Sequence, residues 1–179
     1  AERQRLTEES LDETFGLAVL AGDSIGHLRD ESNLAACLDC VGRHLTADGV
    51  FLIDAPIPEL RLLAADPATL FPWASYEGAD GDRVEIGFAC EYDASAQILT
   101  MKTIRSCADG SSEAIGDFRL RMWFPRELEA VIGHCGYEIV ERFGNYRGGP
   151  IGPRTARQIL VCRPAHCHSI VPGGLLERS

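Results

Sequence analysis

The sequence predicts an α/β fold: a doubly wound sheet with a three-stranded antiparallel meander inserted into it. Three observations carry this prediction. An apolar run at residues 15–21, FGLAVLA, is followed by a helical stripe and a second apolar run, VFLID at 50–54. That is the strand–helix–strand order of a parallel pair. Three runs with period-two alternation then fill residues 83–123, and a helix pattern with two further strand patterns closes the series.

Taken in order, residues 15–21 lack polar alternation, as a strand covered on both faces requires, and so predict a central parallel strand. Asp30 or Ser32 caps a helix that runs to about Leu45, with Leu34, Cys37, Leu38, Val41 and Leu45 on its core face. Ala47-Asp48-Gly49 turns the chain into the buried strand 50–54. Residues 56–82, rich in Pro, Ala and Asp, predict a surface excursion with a short helix around 58–65.

In the meander, Val84, Ile86, Phe88, Cys90 and Tyr92 alternate before a turn at Asp93-Ala94-Ser95. Residues 97–106 form the second strand, and Ala108-Asp109-Gly110 turns again. The third run puts Ile115, Asp117, Arg119, Arg121 and Trp123 on one face, with Phe118, Leu120 and Met122 on the other. Pro125 suits the first position of a helix with a stripe of Leu128, Val131, Ile132 and Cys135, and Gly136 suits its stop. Strands 137–143 and 157–163 follow, joined by a Gly/Pro-rich loop at 144–154. A single domain over residues 1–164 accounts for this pattern, with the insert at about 83–123 and a loose tail at 165–179.

Composition narrows the function classes. A formal charge of −10 disfavours nucleic acid and anionic membrane surfaces as partners. No apolar stretch is long enough for a membrane span and no leader pattern is visible, so a cytoplasmic location is expected. The seven cysteines are odd in number and scattered, which predicts reduced, mostly buried thiols. Cys37, Cys40 and His44 have metal-like spacing, and His166, Cys167 and His168 cluster near the end. No second CxxC completes a tetrahedral site, and Cys37 lies on a core stripe, so no metal is expected.

The stretch FGLAVLAGDSIGHLRDESNLAACLDCVGRHLTADGVFLIDAPIPE resembles the middle of class I S-adenosylmethionine-dependent methyltransferases. There a strand ends in a cofactor-touching loop, a helix follows, and a Gly turn leads into the next strand. The likeness continues into FRLRMWFPRELEAVIGHCGYEIVERFGNYRGGP and ARQILVCRP, the helix and closing strand pair of that family. It implies a partial Rossmann-like sheet, and the inserted meander is similar to the small-molecule branch. The glycine turn of that family's first half does not occur here, so an additional N-terminal segment bearing a strand and that turn is the expectation. Without it, strand 15–21 is a sheet edge that invites a second copy or a partner chain to cover it.

Ligands of open α/β sheets lie beyond the carboxyl ends of the strands. By the resemblance, Ala21, Gly22 and Asp23 touch the cofactor, S-adenosyl-L-methionine, beside the methyl acceptor. Asp23 can accept a hydrogen bond from an acceptor amine or hydroxyl, and His27 can serve as general base. Against this, Asp23 suits a turn and His27 a satisfied polar position. Asp54 ends a buried strand and either shapes the acceptor pocket or simply turns the chain. Tyr146 is a candidate for the pocket rim. Arg119, Arg121 and Trp123, with Tyr92 nearby, either bind an anionic or sugar-bearing substrate or form a solvated strand face. The implied activity is methyl transfer to nitrogen or oxygen of a small-molecule substrate. The alternative is an inactive module that binds a partner through its first strand. No GxSxG turn or HExxH helix supports a hydrolase.

Overall fold

A computed structural model describes residues 12–78 and 81–165. Its elements are two four-stranded sheets and three helices. In the first sheet the order is β1-β2-β8-β7, built from β1 (Phe15–Leu20), β2 (Leu45–Pro56), β7 (Tyr137–Phe143) and β8 (Arg157–Pro164). β1 and β2 run parallel, connected through α1 (Glu31–His44), while β8 is antiparallel to both of its neighbours. The second sheet, β3 (Phe71–Glu77), β4 (Arg83–Asp93), β5 (Ile98–Cys107) and β6 (Ser112–Arg121), is antiparallel throughout.

One face of the first sheet is covered by α1 and by α3 (Pro125–His134). Register explains which residues do this: Phe51 lies opposite Cys162, Ile53 opposite Leu160 and Ala55 opposite Gln158, so these pairs share a face. They meet Leu34, Cys37 and Leu38 of α1 and Leu128 and Ile132 of α3, all buried. Each such side chain contributes on the order of 1.5–3 kcal/mol relative to exposure. Asp30 caps α1 by accepting from the Asn33 backbone N–H at 2.7 Å, and Ser32 instead donates its hydroxyl to that same carboxylate. Gly136 sits at φ 78 directly after α3, where a side chain would be strained.

Several expectations change. The strand after α1 begins at Leu45 rather than after a Gly turn; the register jumps from Phe15↔Leu45 to Leu17↔Val50, so residues 46–49 bulge within β2. The meander has four strands, because residues 71–77 of the expected excursion form edge strand β3 against β4. Its Pro72 is tolerated because an edge strand leaves one set of backbone groups unpaired. The short helix α2 (Leu60–Leu63) falls inside the expected span. β6 ends at Arg121, so Trp123 does not continue the face of Arg119 and Arg121. It turns into the main core and is 2% exposed.

Among the described residues β1 pairs only with β2, and Phe15, Leu17 and Val19 are exposed along it. The apolar character expected of a central strand is therefore present at an edge. Cys37 and Cys40 are buried, His44 Nδ1 lies 2.7 Å from the Cys40 carbonyl, and no group of three metal-binding side chains occurs among the described residues. His166, Cys167 and His168, with the tail from 166 onward, lie outside the described residues. No helix among the described residues is long and apolar enough to cross a membrane.

Candidate functional site

Because β1 and β2 run parallel, their carboxyl ends lie side by side, with Leu20 opposite Ile53. The chain leaves β1 through Ala21 and turns at Gly22, φ 64, and Asp23, φ 61. A single 3-10 turn follows over Ser24–His27, closed by the Ser24 hydroxyl donating to the Ala21 carbonyl at 2.6 Å. Ile25, 1% exposed, anchors this turn in the core. The Trp123 indole N–H donates to the carbonyls of Ile25 and Leu28 at 3.3 and 3.1 Å, fastening the turn to the segment after β6. Gly26 is so close to β6 that an added Cβ would stand 3.2 Å from Leu120.

Asp54, near the end of β2, is 1% exposed. β8 runs antiparallel to β2 and starts opposite Pro56, so its first residue, Arg157, arrives beside Asp54. Arg157 Nη1 donates to Asp54 Oδ2 at 2.5 Å, and its Nη2 donates to Asp23 Oδ1 at 3.0 Å. The Tyr146 hydroxyl also donates to Asp54 Oδ2, at 2.7 Å, while Asp54 Oδ1 has no partner among the described residues. A buried carboxylate requires such compensation, since an isolated charge there is strongly disfavoured. The hydrogen bond to Asp54 raises the pKa of the exposed Tyr146 phenol, because it is made to the protonated form.

A cavity of about 760 Å³ opens next to this network. Asp23 and Gly26 form one wall, residues 56–63 a second, β5 and β6 a third, and residues 153–156 a fourth. It therefore joins the strand ends of the first sheet to the inserted sheet. A shallower depression of about 550 Å³ lies along β3 and β4, away from the strand ends.

Of the expected site residues, Asp23 and Arg121 line the larger cavity. Asp54 and Tyr146 join Asp23 through Arg157, one step behind the wall. Ala21 and Gly22 are exposed just before it. His27 is also exposed and is not among the lining side chains. Arg121 is held by Glu127 at 2.5 Å and by the Ala96 carbonyl at 2.7 Å, with its guanidinium 4.9 Å from the Trp123 ring centroid. Arg119 is exposed opposite Thr100. Tyr92 lies opposite Leu99, which lies opposite Leu120, so it shares the face of Leu120 and not that of the two arginines. Of the expected group, Arg121 stays over the Trp123 ring and close enough to Tyr92 to interact electrostatically, while Arg119 stands on the exposed strand face. Arg157 was not foreseen as a site component. The available signal for Arg157 was the need of two strand-end carboxylates, Asp23 and Asp54, for a counter-charge.

No protein-family model and no curated protein matches the chain. Solved structures share its fold. It is similar to the CcbJ methyltransferase from Streptomyces caelestis, with a TM-score of 0.76 and 19% identity over 89% of this chain and 61% of that one. A S-adenosylmethionine-dependent methyltransferase from Clostridium acetobutylicum gives 0.71 and 16% over 89% and 62%. CalS10, an amino pentose methyltransferase from Micromonospora echinaspora solved with S-adenosylmethionine bound, gives 0.62 and 15% over 87% and 61%. The chain spans about three fifths of the length of these structures. Its fold is that of a partial, Rossmann-like methyltransferase sheet carrying an antiparallel insert.

Proposed function

We propose that this chain carries the acceptor-binding part of a S-adenosylmethionine-dependent methyltransferase that acts on nitrogen or oxygen of a small molecule. The observation that carries the reading is the cavity of about 760 Å³ walled by Asp23 at the end of β1 and by the inserted sheet. Strand-end crevices are where open α/β sheets bind ligands, and the volume lies within the range of about 300–1,000 Å³ usual for small-molecule sites.

The residues after β1 fit one end of the cofactor. Ala21 and Gly22 are exposed, and a Cβ added at Gly22 would meet nothing within 4 Å, so a ligand can approach the backbone closely. Ala21, Gly22 and Asp23 would hold that end. When bound, S-adenosylmethionine supplies an electrophilic methyl group on a sulfonium sulfur. The protein's task is then alignment and proton removal. Arg157 fixes Asp23 through Oδ1, and Asp23 Oδ2 carries no hydrogen bond among the described residues. That oxygen accepts the N–H or O–H of the acceptor, orients its lone pair, and takes the proton released on transfer. Asp54 and Tyr146 act through Arg157 as positioning residues. His27 takes no step in this reading because it lies outside the cavity wall.

Calorimetric titration of the purified protein with S-adenosylmethionine and S-adenosylhomocysteine, followed by transfer of labelled methyl to a panel of small amines and alcohols, tests the reading. Saturable cofactor binding with label appearing on an amine or hydroxyl is expected. Cofactor binding without transfer to any member of either class would argue against the acceptor assignment.

A further inference from the structure

The cavity that meets Asp23 is not uniformly polar. Its lining includes Leu62, Leu63, Leu99, Met101, Leu120 and Met122. These residues come from α2 and from the inserted sheet with the residue that follows β6. The same side chains belong to the satellite apolar cluster around Cys90, in which only Cys90, Leu99 and Met122 are fully buried. Leu62, Leu63, Met101 and Leu120 keep part of their surface open, and the cavity is where that surface faces. Among the charged lining residues, Asp23 is engaged by Arg157, Arg61 by Glu59 and Arg121 by Glu127, while Arg154, beside Pro153 and Thr155, has no ion pair among the described residues. A polyhydroxylated ligand body against Leu, Met and Pro would lose hydrogen bonds to water without replacement.

We infer that the acceptor is an amphipathic small molecule: an amine or hydroxyl at the Asp23 end, and an alkyl or aryl body seated against the leucine and methionine wall. Calling this ligand the acceptor rests on the methyl-transfer reading; the binding chemistry does not. Apolar burial is additive by methylene, so a homologous series reads it directly. Each methylene withdrawn from water tightens binding up to about four-fold. The Asp23 end sets where the polar group sits, and the apolar wall sets how much body it can follow with.

The probes are the n-alkylamines from butylamine to octylamine, with glucosamine as the polyhydroxylated amine of similar charge, titrated calorimetrically into the full chain. Affinity is expected to rise about three- to four-fold per methylene across the series, with glucosamine binding no more tightly than butylamine. Met101→Trp and Leu62→Trp, from β5 and α2, are each expected to abolish octylamine binding while leaving the melting temperature near that of the parent. Affinity independent of chain length, glucosamine binding more tightly than octylamine, or parental octylamine affinity in a folded filling variant would overturn the inference. So would the absence of octylamine binding. Chain-length-dependent binding without methyl transfer would leave this inference standing and remove the catalytic reading instead.

Discussion

Arg157 Nη2 lies 3.0 Å from Asp23 Oδ1, joining residues 134 positions apart at the carboxyl end of the first sheet. The same guanidinium reaches the buried Asp54, so one cation compensates two carboxylates that end adjacent strands. Removing it leaves Asp54 uncompensated. Arg157→Met is expected to lower unfolding free energy by about 3 kcal/mol, the low end for breaking a buried pair because Arg157 is partly exposed. Adding Asp54→Asn should restore a large part of that loss. Urea denaturation of the two single variants and the double variant checks this, and strictly additive losses would remove the coupling.

Under the proposed function, Asp23 and His27 are expected to respond differently to substitution. In an active enzyme, Asp23→Asn should cut kcat by at least about ten-fold with little change in cofactor affinity, as the loss of a positioned proton acceptor does. His27→Ala should leave kcat within about two-fold, the effect of an exposed residue outside the cavity wall. Steady-state kinetics with calorimetric cofactor affinities decides it; a larger loss at His27 than at Asp23 would reverse the assignment.

Alkaline destabilisation should be marked. Burial pushes Cys37 up to about 11 and both Cys162 and Tyr137 up to about 12. Tyr137 also donates its hydroxyl to the Leu38 carbonyl at 2.8 Å. A folded-state pKa above the unfolded value means that the protonated group stabilises the fold below the unfolded value. That contribution is lost as pH rises through the folded one. Stability should therefore fall from about pH 9 to about pH 12. Tyr137→Phe should show a shallower decline above about pH 10, measured by urea midpoints at stepped pH.

The acid side is governed by a different residue. The Ser32 hydroxyl and then Asn33 hold the Asp30 carboxyl down at about 2, so the cap of α1 is intact above the unfolded value near 3.8. Its contribution should be lost as pH falls from there through about 2. Asp30→Ala is expected to cost about 1 kcal/mol at neutral pH and to flatten that acid limb. Circular dichroism melts across the range test both statements.

Thiol labelling gives an independent check of the core. Cys37, Cys90 and Cys162 are buried, whereas Cys107 is partly open near the end of β5. Among these four, maleimide at about pH 8 should modify Cys107 first and leave the others until unfolding, as peptide mapping would show.

The sequence by itself determined the order and type of most elements. Apolar periodicity is a local property: the stripe of Leu34, Cys37 and Leu38 specifies a helix face wherever that helix packs, and Pro125 and Gly136 bound α3 through their own backbone preferences. It also marked the strand-end loop at Asp23, because ligand crevices follow from strand direction. What the tertiary structure decided is everything that depends on where separate elements meet. β3 escaped notice because an edge strand lacks the alternation that burial imposes, and its FPWASYE is largely exposed. Trp123 left the arginine face because β6 stops at Arg121 and the core offers its indole N–H two carbonyl acceptors. The Arg157 bridge and the leucine and methionine wall arise from antiparallel return and sheet-on-loop packing over long sequence separations. Spacing along the chain does not encode such meetings; the topology that closes the chain on itself creates them.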